Sequence, residues 1–239
     1  MPSWRSRFKE KKALPSFIEH PITEQSFAVI DRELAARGVS LAMYPPAVYA
    51  MVRRLIHTTA DFEYAELLRL SEDAMAQAQT AFHQGRPVIT DVGMVTQGIQ
   101  RVLESTFALP LVTALHQTPQ PLPGKTRTET GLLACCEQYP NAVYVIGNAP
   151  TALLALCEQI HLGRVTPALV IGAPVGFINV LEAKQALAAC AVPQIRITGR
   201  KGGSGVAAAI TNALLIESWR AAEPAVGGSG PRSDGDNGE

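Results

Sequence analysis

The chain has 239 residues, of which 47% are hydrophobic and 18% are charged, a composition that indicates a folded protein and excludes a disordered one. Its 21 Lys and Arg residues balance its 21 Asp and Glu residues, so no overall charge attracts it to nucleic acid or to an anionic membrane. No apolar run reaches the roughly 18 residues of a membrane span, and no signal-like segment follows the basic N-terminus. We therefore expect a cytoplasmic protein with neither nucleic acid nor membrane as partner.

Three helices are predicted before the strands begin. Residues 1–19 are basic and then mixed in character, and we expect them to form a flexible arm. Each predicted helix begins at a proline or a capping side chain, because the first-turn amides of a helix lack intrahelical partners. The predicted spans run from near Ile22 to Gly38, from Pro45 to Thr59, and from Ser71 to Gly85.

Apolar strands alternate with helices along the rest of the chain, which is the pattern of a parallel sheet with helical crossovers. The strands are predicted at residues 87–90, 110–115, 143–146, 167–171 and 193–197, and a last helix runs from Gly203 to about Arg220. We predict an α/β fold in which one domain, residues 20–220, is doubly wound around a mainly parallel five-stranded sheet with helices on both faces. Residues 221–239 are poor in apolar side chains and are expected to be disordered.

The stretch from Ala142 to Leu156 combines an apolar run typical of a buried parallel strand, a glycine turn and the start of a helix. Asn148 is suited to cap that helix, and Pro150 is tolerated in its first turn. Glycine-bearing turns, GAPVGF and TGRKGGSG, also follow the next two strands. Because parallel strands end at one edge of the sheet, where helix N-termini carry free amides, the three turns predict an anion-binding site. Each turn taken alone could be an ordinary strand-to-helix connection.

His57 is the histidine best suited to acid–base chemistry, because it ends an apolar helix whose C-terminal dipole favours the imidazolium. It could instead cap the carbonyls of its own helix. Arg127, Arg200 and Lys201 lie in loops or at helix starts, where they could pair with ligand carboxylates or remain solvated. Asp91 follows a strand and could bind a ligand or cap the next helix.

No motif for a metal or a cofactor is found in the sequence. A nucleophile elbow, a Walker motif and paired histidine or cysteine spacings are all missing, so we predict that the protein uses no metal and no cofactor. The glycine turns would also suit a dinucleotide or S-adenosylmethionine, but no GxGxxG with a following ribose-binding acid is present. The four cysteines fall within predicted helices and are interpreted as reduced core thiols: Cys135, Cys136, Cys157 and Cys190.

Seven segments, in order between residues 20 and 216, resemble the precorrin-8X / cobalt-precorrin-8 methylmutase family of cobalamin biosynthesis. The combination of IGNAPTAL, PVGF and GRKGGS at these separations is specific to that family. The matching segments are HPITEQSFAVIDRE (20–33), VRRLIHTTADFEY (52–64), TDVGMVTQGI (90–99), KTRTE (125–129), YVIGNAPTALLAL (144–156), PALVIGAPVGFINVLEAK (167–184) and GRKGGSGVAAAITNALL (199–215).

The resemblance implies an isomerase that moves a methyl group from C11 to C12 of a tetrapyrrole by an acid-assisted 1,5-sigmatropic shift, giving hydrogenobyrinate or cobyrinate. It implies that His57 is the catalytic acid, that Arg127 and the turn amides bind the carboxylates of the macrocycle, and that the enzyme is a homodimer with a partly shared cleft. The predicted substrate-binding residues are Ser26, Asp91, Arg127, Gly147, Asn148, Ala149, Thr151, Gly176, Arg200, Lys201, Gly202, Gly203 and Ser204.

The chain departs from the family's pattern in three short segments. Residues 92–94 read VGM where many relatives carry a polar or acidic residue before the methionine, TRTET replaces TRSAA, and EAK replaces ESK. These changes concern ligand contacts and leave His57 and Arg127 in place. One alternative function uses the same residues: a non-catalytic protein that binds or hands on a tetrapyrrole, in which His57 would be dispensable.

Overall fold

The computed structural model describes residues 20–222, so the predicted arm and residues 223–239 of the predicted tail lie outside the described residues. The helices of this part are α1 (Pro21–Ala36), α2 (Pro46–Thr59), α3 (Tyr64–Leu67), α4 (Ala74–His83), α5 (Gly93–Ser105), α6 (Arg127–Gln138), α7 (Pro150–His161), α8 (Val180–Ala189) and α9 (Ser204–Ala221). The strands are β1 (Leu68–Leu70), β2 (Val88–Thr90), β3 (Leu111–Thr113), β4 (Val143–Ile146), β5 (Leu169–Gly172) and β6 (Gln194–Ile197).

The strands form one six-stranded sheet in the order β1-β6-β5-β4-β2-β3. Strands β2 to β6 are parallel to one another, and this confirms the predicted α/β fold with a mainly parallel sheet. The sequence did not indicate β1, which pairs antiparallel with β6 and places Leu68 opposite Ile197. Its three residues directly follow α3 and are too few to show the alternation of a strand, so only the partner strand defines it.

The two faces of the sheet carry separate cores, because successive side chains of a strand point to opposite sides. In β4, Val143 and Val145 join the core shared with α2, α4, α5 and α9. Tyr144 and Ile146 join the core formed with α6, α7 and α8. The predicted double winding is therefore present, and α1 packs on the outside of α2.

The four cysteines lie in the second core, where all are buried and free, as predicted. Burial raises the pKa of the Cys136 thiol to about 11, which keeps this thiol protonated and unreactive at neutral pH. Their contribution is therefore that of small apolar side chains.

Ser71 was predicted to cap the third helix, and the structure corrects this. The helix begins at Ala74, and Asp73 is its N-cap residue. The Ser71 hydroxyl donates to Asp73 Oδ1 over 2.9 Å and accepts the Gln194 amide at 3.0 Å. Because that amide lies at the start of β6, the serine connects a loop to the sheet, a contact between residues distant in sequence.

A pair of glycine-to-alanine substitutions tests the packing of the helices. We expect Gly131→Ala to destabilise the protein by about 3 kcal/mol, because a Cβ there would overlap the Ala114 carbonyl, which is backbone and cannot turn aside. The matched control is Gly205→Ala in α9, whose Cβ would lie 3.8 Å from the Thr58 methyl group, an ordinary contact. The control should gain up to about 1 kcal/mol from helix propensity. Urea unfolding measures both, and equal effects would contradict this account.

Candidate active site

The three glycine-bearing turns lie side by side at the carboxyl edge of the sheet, because β4, β5 and β6 are parallel neighbours. Backbone hydrogen bonds join them into one surface. The Ala173 amide donates to the Ile146 carbonyl at 2.9 Å, and the Gly203 amide donates to the Ala173 carbonyl at 2.8 Å. The Gly176 amide donates to the Arg200 carbonyl at 3.3 Å. The sequence prediction that the turns share one edge is thus correct.

Two of the glycines are required by close approach. Gly202 has a φ of +153°, and a Cβ there would overlap the carbonyl of Ala173 in the neighbouring turn. At Gly147 a Cβ would lie 2.8 Å from a methyl group of Val95 and 3.0 Å from the Cα of Ser204. Glycine at these positions allows the turns to contact one another and allows the starts of α5 and α9 to approach β4.

Asp91 lies beneath this edge, fully buried. Its Oδ1 accepts the Val92 amide at 2.9 Å, and its Oδ2 accepts the amides of Asn148 at 2.6 Å and Ala149 at 2.8 Å. Burial raises the pKa of this carboxyl, and the hydrogen bonds from the backbone amides act in the opposite direction. The expected capping of the next helix is not observed, because the N-cap residue of α5 is Val92 and it has no side-chain cap. The buried carboxylate instead anchors the first glycine turn.

The Asp91 contacts correct two details of the first turn. The N-cap residue of α7 is Ala149, with no side-chain cap, and not the predicted Asn148. The amides of Asn148 and Ala149, which were predicted to bind substrate, already donate to the carboxylate of Asp91. The Asn148 side chain remains exposed at the edge. The first turn can therefore contact a ligand through the Asn148 side chain, whereas its Asn148 and Ala149 amides are already occupied.

His57 lies in the last turn of α2, whose C-cap residue, Ala60, has the left-handed conformation. The His57 side chain is exposed, and its Nδ1 is 2.8 Å from the Ser26 hydroxyl of α1. The ring of Phe27 packs edge-on against the imidazole, with ring centroids 5.6 Å apart. The next residue, Thr58, lies beside Gly205 at the start of α9. The end of α2 thus lies against the start of the helix that follows the third turn, while the imidazole contacts α1.

Lys201 connects the third turn to the segment after α2. Its ammonium lies 2.6 Å from Asp61 Oδ2 and 2.9 Å from Glu63 Oε2. The hydrogen bond from Lys201 lowers the pKa of the Asp61 carboxyl. The sequence allows Lys201 to pair with ligand carboxylates, whereas in the structure two carboxylates of the chain itself already engage this cation.

Arg127 and Arg200 are the exposed cations of the predicted set. Arg127 is the first residue of α6, and a 3.0 Å hydrogen bond between Thr126 and Thr151 joins the start of α6 to the start of α7. Within residues 20–222 no acceptor pairs with the Arg127 guanidinium. The Arg200 guanidinium lies 6.0 Å from the centroid of the Phe177 ring. Both arginines can therefore meet an anionic ligand at this edge.

Exposed apolar side chains, which were not among the predicted site residues, also lie at this edge. Phe177 is 85% exposed and Ile178 is 78% exposed, in the turn between β5 and α8. Met94, in the first turn of α5, is 75% exposed. The sequence signal for these exposed side chains is the apolar pair Phe177 and Ile178 within PVGFIN, a segment that the glycine pattern identifies only as a turn. Exposed apolar side chains beside arginines suit a ligand that is flat, apolar on its faces and anionic at its rim.

The described residues lack any group of three His, Cys, Asp or Glu side chains arranged to hold a metal ion. Within residues 20–222, no helix is both long and apolar enough to cross a membrane.

The family model for precorrin-8X methylmutase matches residues 21–217. A cobalt-precorrin-8 methylmutase from Synechocystis sp. is 49% identical over 217 residues, which cover 85% of this chain and 98% of the relative. A precorrin-8X methylmutase from Pseudomonas aeruginosa is 36% identical over 202 residues, covering 82% and 94% of the two chains. The solved structure of a precorrin-8X methylmutase from Thermus thermophilus superposes with a TM-score of 0.75 at 39% identity, covering 84% and 98% of the two chains.

The anchoring role of Asp91 predicts the effect of Asp91→Asn. The substitution keeps the size of the side chain but leaves one acceptor oxygen for three amides, so buried N–H groups lose their partner. We expect the free energy of unfolding to fall by about 2–4 kcal/mol. The control, Asp73→Asn, changes an exposed carboxylate and should have little effect. Urea unfolding compares them, and an unchanged midpoint for Asp91→Asn would refute the anchoring role.

Proposed function

The chain belongs to the precorrin-8X methylmutase family, and we propose that it isomerises precorrin-8X or cobalt-precorrin-8 by moving a methyl group from C11 to C12 of the ring. This reaction is a step of cobalamin biosynthesis. The observation that best supports the assignment of its site is the pairing of His57 with Ser26 at the end of α2, where the next residue, Thr58, lies beside Gly205 just after the third glycine turn. The pairing provides an oriented acid next to a surface suited to an anionic macrocycle.

His57 is proposed to protonate the ring C region of the substrate. The proton spreads positive charge over the conjugated ring and lowers the barrier to migration of the methyl group with its bonding electrons. After the shift the same imidazole takes the proton back, so the reaction is an isomerisation without net redox change. Because Nδ1 faces the Ser26 hydroxyl at 2.8 Å, Nε2 is the nitrogen left to exchange the proton with substrate.

The rim of the macrocycle is proposed to bind along the sheet edge. Arg127 and Arg200 pair with acetate and propionate carboxylates, and the exposed Asn148 side chain adds a hydrogen bond. Phe177 and Met94 contact the apolar face of the ring. The other predicted contacts at the glycine turns remain part of this proposal. The exceptions are the Asn148 and Ala149 amides, which already donate to Asp91.

We propose a cytoplasmic homodimer that needs neither a metal nor a cofactor for the shift. The exposure of His57 and of the apolar side chains at the sheet edge supports a second subunit that covers part of the site. Residues 20–220 are proposed as the catalytic domain, which agrees with the range matched by the family.

His57→Ala tests the acid. We expect kcat for precorrin-8X to fall by about 100- to 10,000-fold, the usual contribution of general acid catalysis, because no neighbouring group replaces the proton. The fold should persist, since His57 is exposed. The control is His161→Ala, at the far end of α7. Visible spectra follow the appearance of the corrin product. Near-normal turnover would exclude His57 as the acid, and a wild-type protein that binds but never converts the pigment would be a carrier.

Arg127→Gln tests the binding of carboxylates. A hydrogen bond to a charged group contributes about 1.5–3 kcal/mol, so KM should rise about 10- to 100-fold while kcat changes little. Arg164→Gln is the matched control, because Arg164 is exposed and hydrogen-bonds only Gln159 among the described residues. Steady-state kinetics of both variants decide the point. An unchanged KM for Arg127→Gln would remove Arg127 from the site.

A further inference from the structure

Lys184 of α8 is a buried cation that the proposed chemistry does not use. Only 4% of it is exposed. Its ammonium donates to the carbonyls of Gly199 and Lys201, each at 2.7 Å. Within residues 20–222 no carboxylate forms an ion pair with it, and burial lowers the pKa of Lys184 from its ordinary value to about 8. A buried lysine without an acidic partner is rare, because removing its charge from water is costly.

The two carbonyls belong to the third glycine turn, so Lys184 determines how that turn is oriented. In a trans peptide the carbonyl and the following N–H point in opposite directions. Since the carbonyls of Gly199 and Lys201 point to Lys184, the amides of Arg200 and Gly202 point away from it. The Gly202 amide donates a hydrogen bond to the Tyr64 hydroxyl oxygen. This bond lowers the Tyr64 pKa, although burial, the larger effect, raises it. The Arg200 amide has no acceptor among the described residues.

The same turn supports its neighbour. The Arg200 carbonyl accepts the Gly176 amide, and the Gly203 amide donates to Ala173, so a shift of the third turn would also displace the second. Phe177 follows Gly176 directly in that second turn. One buried ammonium thus influences an unpaired amide, an exposed arginine and an exposed aromatic ring. It also places a positive charge behind the surface proposed to meet carboxylates.

We propose that Lys184 is a positioning residue, which holds the turn of residues 199–203 so that the Arg200 amide and side chain face the carboxylates of the tetrapyrrole. Lys184 itself does not touch the substrate. This inference rests on the proposed function for its ligand, but the orientation of the turn is a property of the free protein. Lys184 should therefore control affinity and leave the proton transfer at His57 almost unchanged.

Three variants test the proposal. Lys184→Met fills a similar volume without donors, Lys184→Gln keeps two neutral N–H donors, and Gln185→Met changes the exposed neighbour on the same helix. For Lys184→Met we expect KM for precorrin-8X and the dissociation constant of hydrogenobyrinate to rise about tenfold or more, with kcat within about threefold of wild type. Lys184→Gln should fall between it and wild type, and Gln185→Met should match wild type. Absorbance titrations and initial rates measure these values.

Hydrogen exchange in the ligand-free variants tests the orientation directly. Without Lys184 the Gly176 and Gly203 amides should exchange about tenfold faster, whereas those of α7 should be unchanged. If Lys184→Met does not fold, the Lys184→Gln variant gives the same comparison. Unchanged exchange together with unchanged affinity overturns the proposal, as does a loss confined to kcat. A wild-type protein that neither binds nor converts the tetrapyrrole refutes the proposed function instead, and the exchange data then still decide the role of Lys184 in the turn.

Discussion

The hydrogen bonds of Asp91 hold together the part of the sheet on which the site is built. Its carboxylate accepts amides from the start of α5 and from the turn after β4, and its own amide and carbonyl bond to Val145 and Leu115. One buried residue thus joins the ends of three neighbouring strands, β3, β2 and β4. Because the buried Asp91 carboxylate and the buried Ala149 amide would lose their partners in any other arrangement, these bonds fix the edge.

The cations near this edge fall into two groups. Lys184 and Lys201 are held by the chain itself, one by carbonyls and the other by the carboxylates of Asp61 and Glu63. Arg127 and Arg200 are exposed. A sequence shows four positive side chains at similar loop positions, but only the packing separates those that shape the surface from those that remain for a ligand. This separation lets a protein with no net charge present a local anion site.

The proposed acid is supplied from outside the alternating part of the chain. His57 belongs to α2, which precedes the parallel strands and packs on α9, and its hydrogen-bond partner Ser26 belongs to α1. The glycine turns provide backbone and cations, while the first two helices provide the imidazole and fix its orientation. A substitution at an exposed position of α1 or α2, such as His57, can therefore alter the chemistry without disturbing the sheet.

The sequence by itself determined the features that depend on neighbouring residues. The bounds of β4, the presence of a helix after the first glycine turn, the edge shared by the three turns and the family were all evident from apolar runs, glycines and motifs. The tertiary structure alone decided β1, the bond of Ser71 to β6, and the roles of Asp91, Lys184 and Lys201. Lys184 hydrogen-bonds Gly199, which is 15 residues away in the sequence, and Lys201 pairs with Asp61, which is 140 residues away. No local sequence pattern encodes these contacts. The Lys184 contacts exist because a buried polar group must find a partner wherever the fold brings one within reach. Lys201 is partly exposed, and it meets Asp61 and Glu63 because the fold brings these opposite charges together.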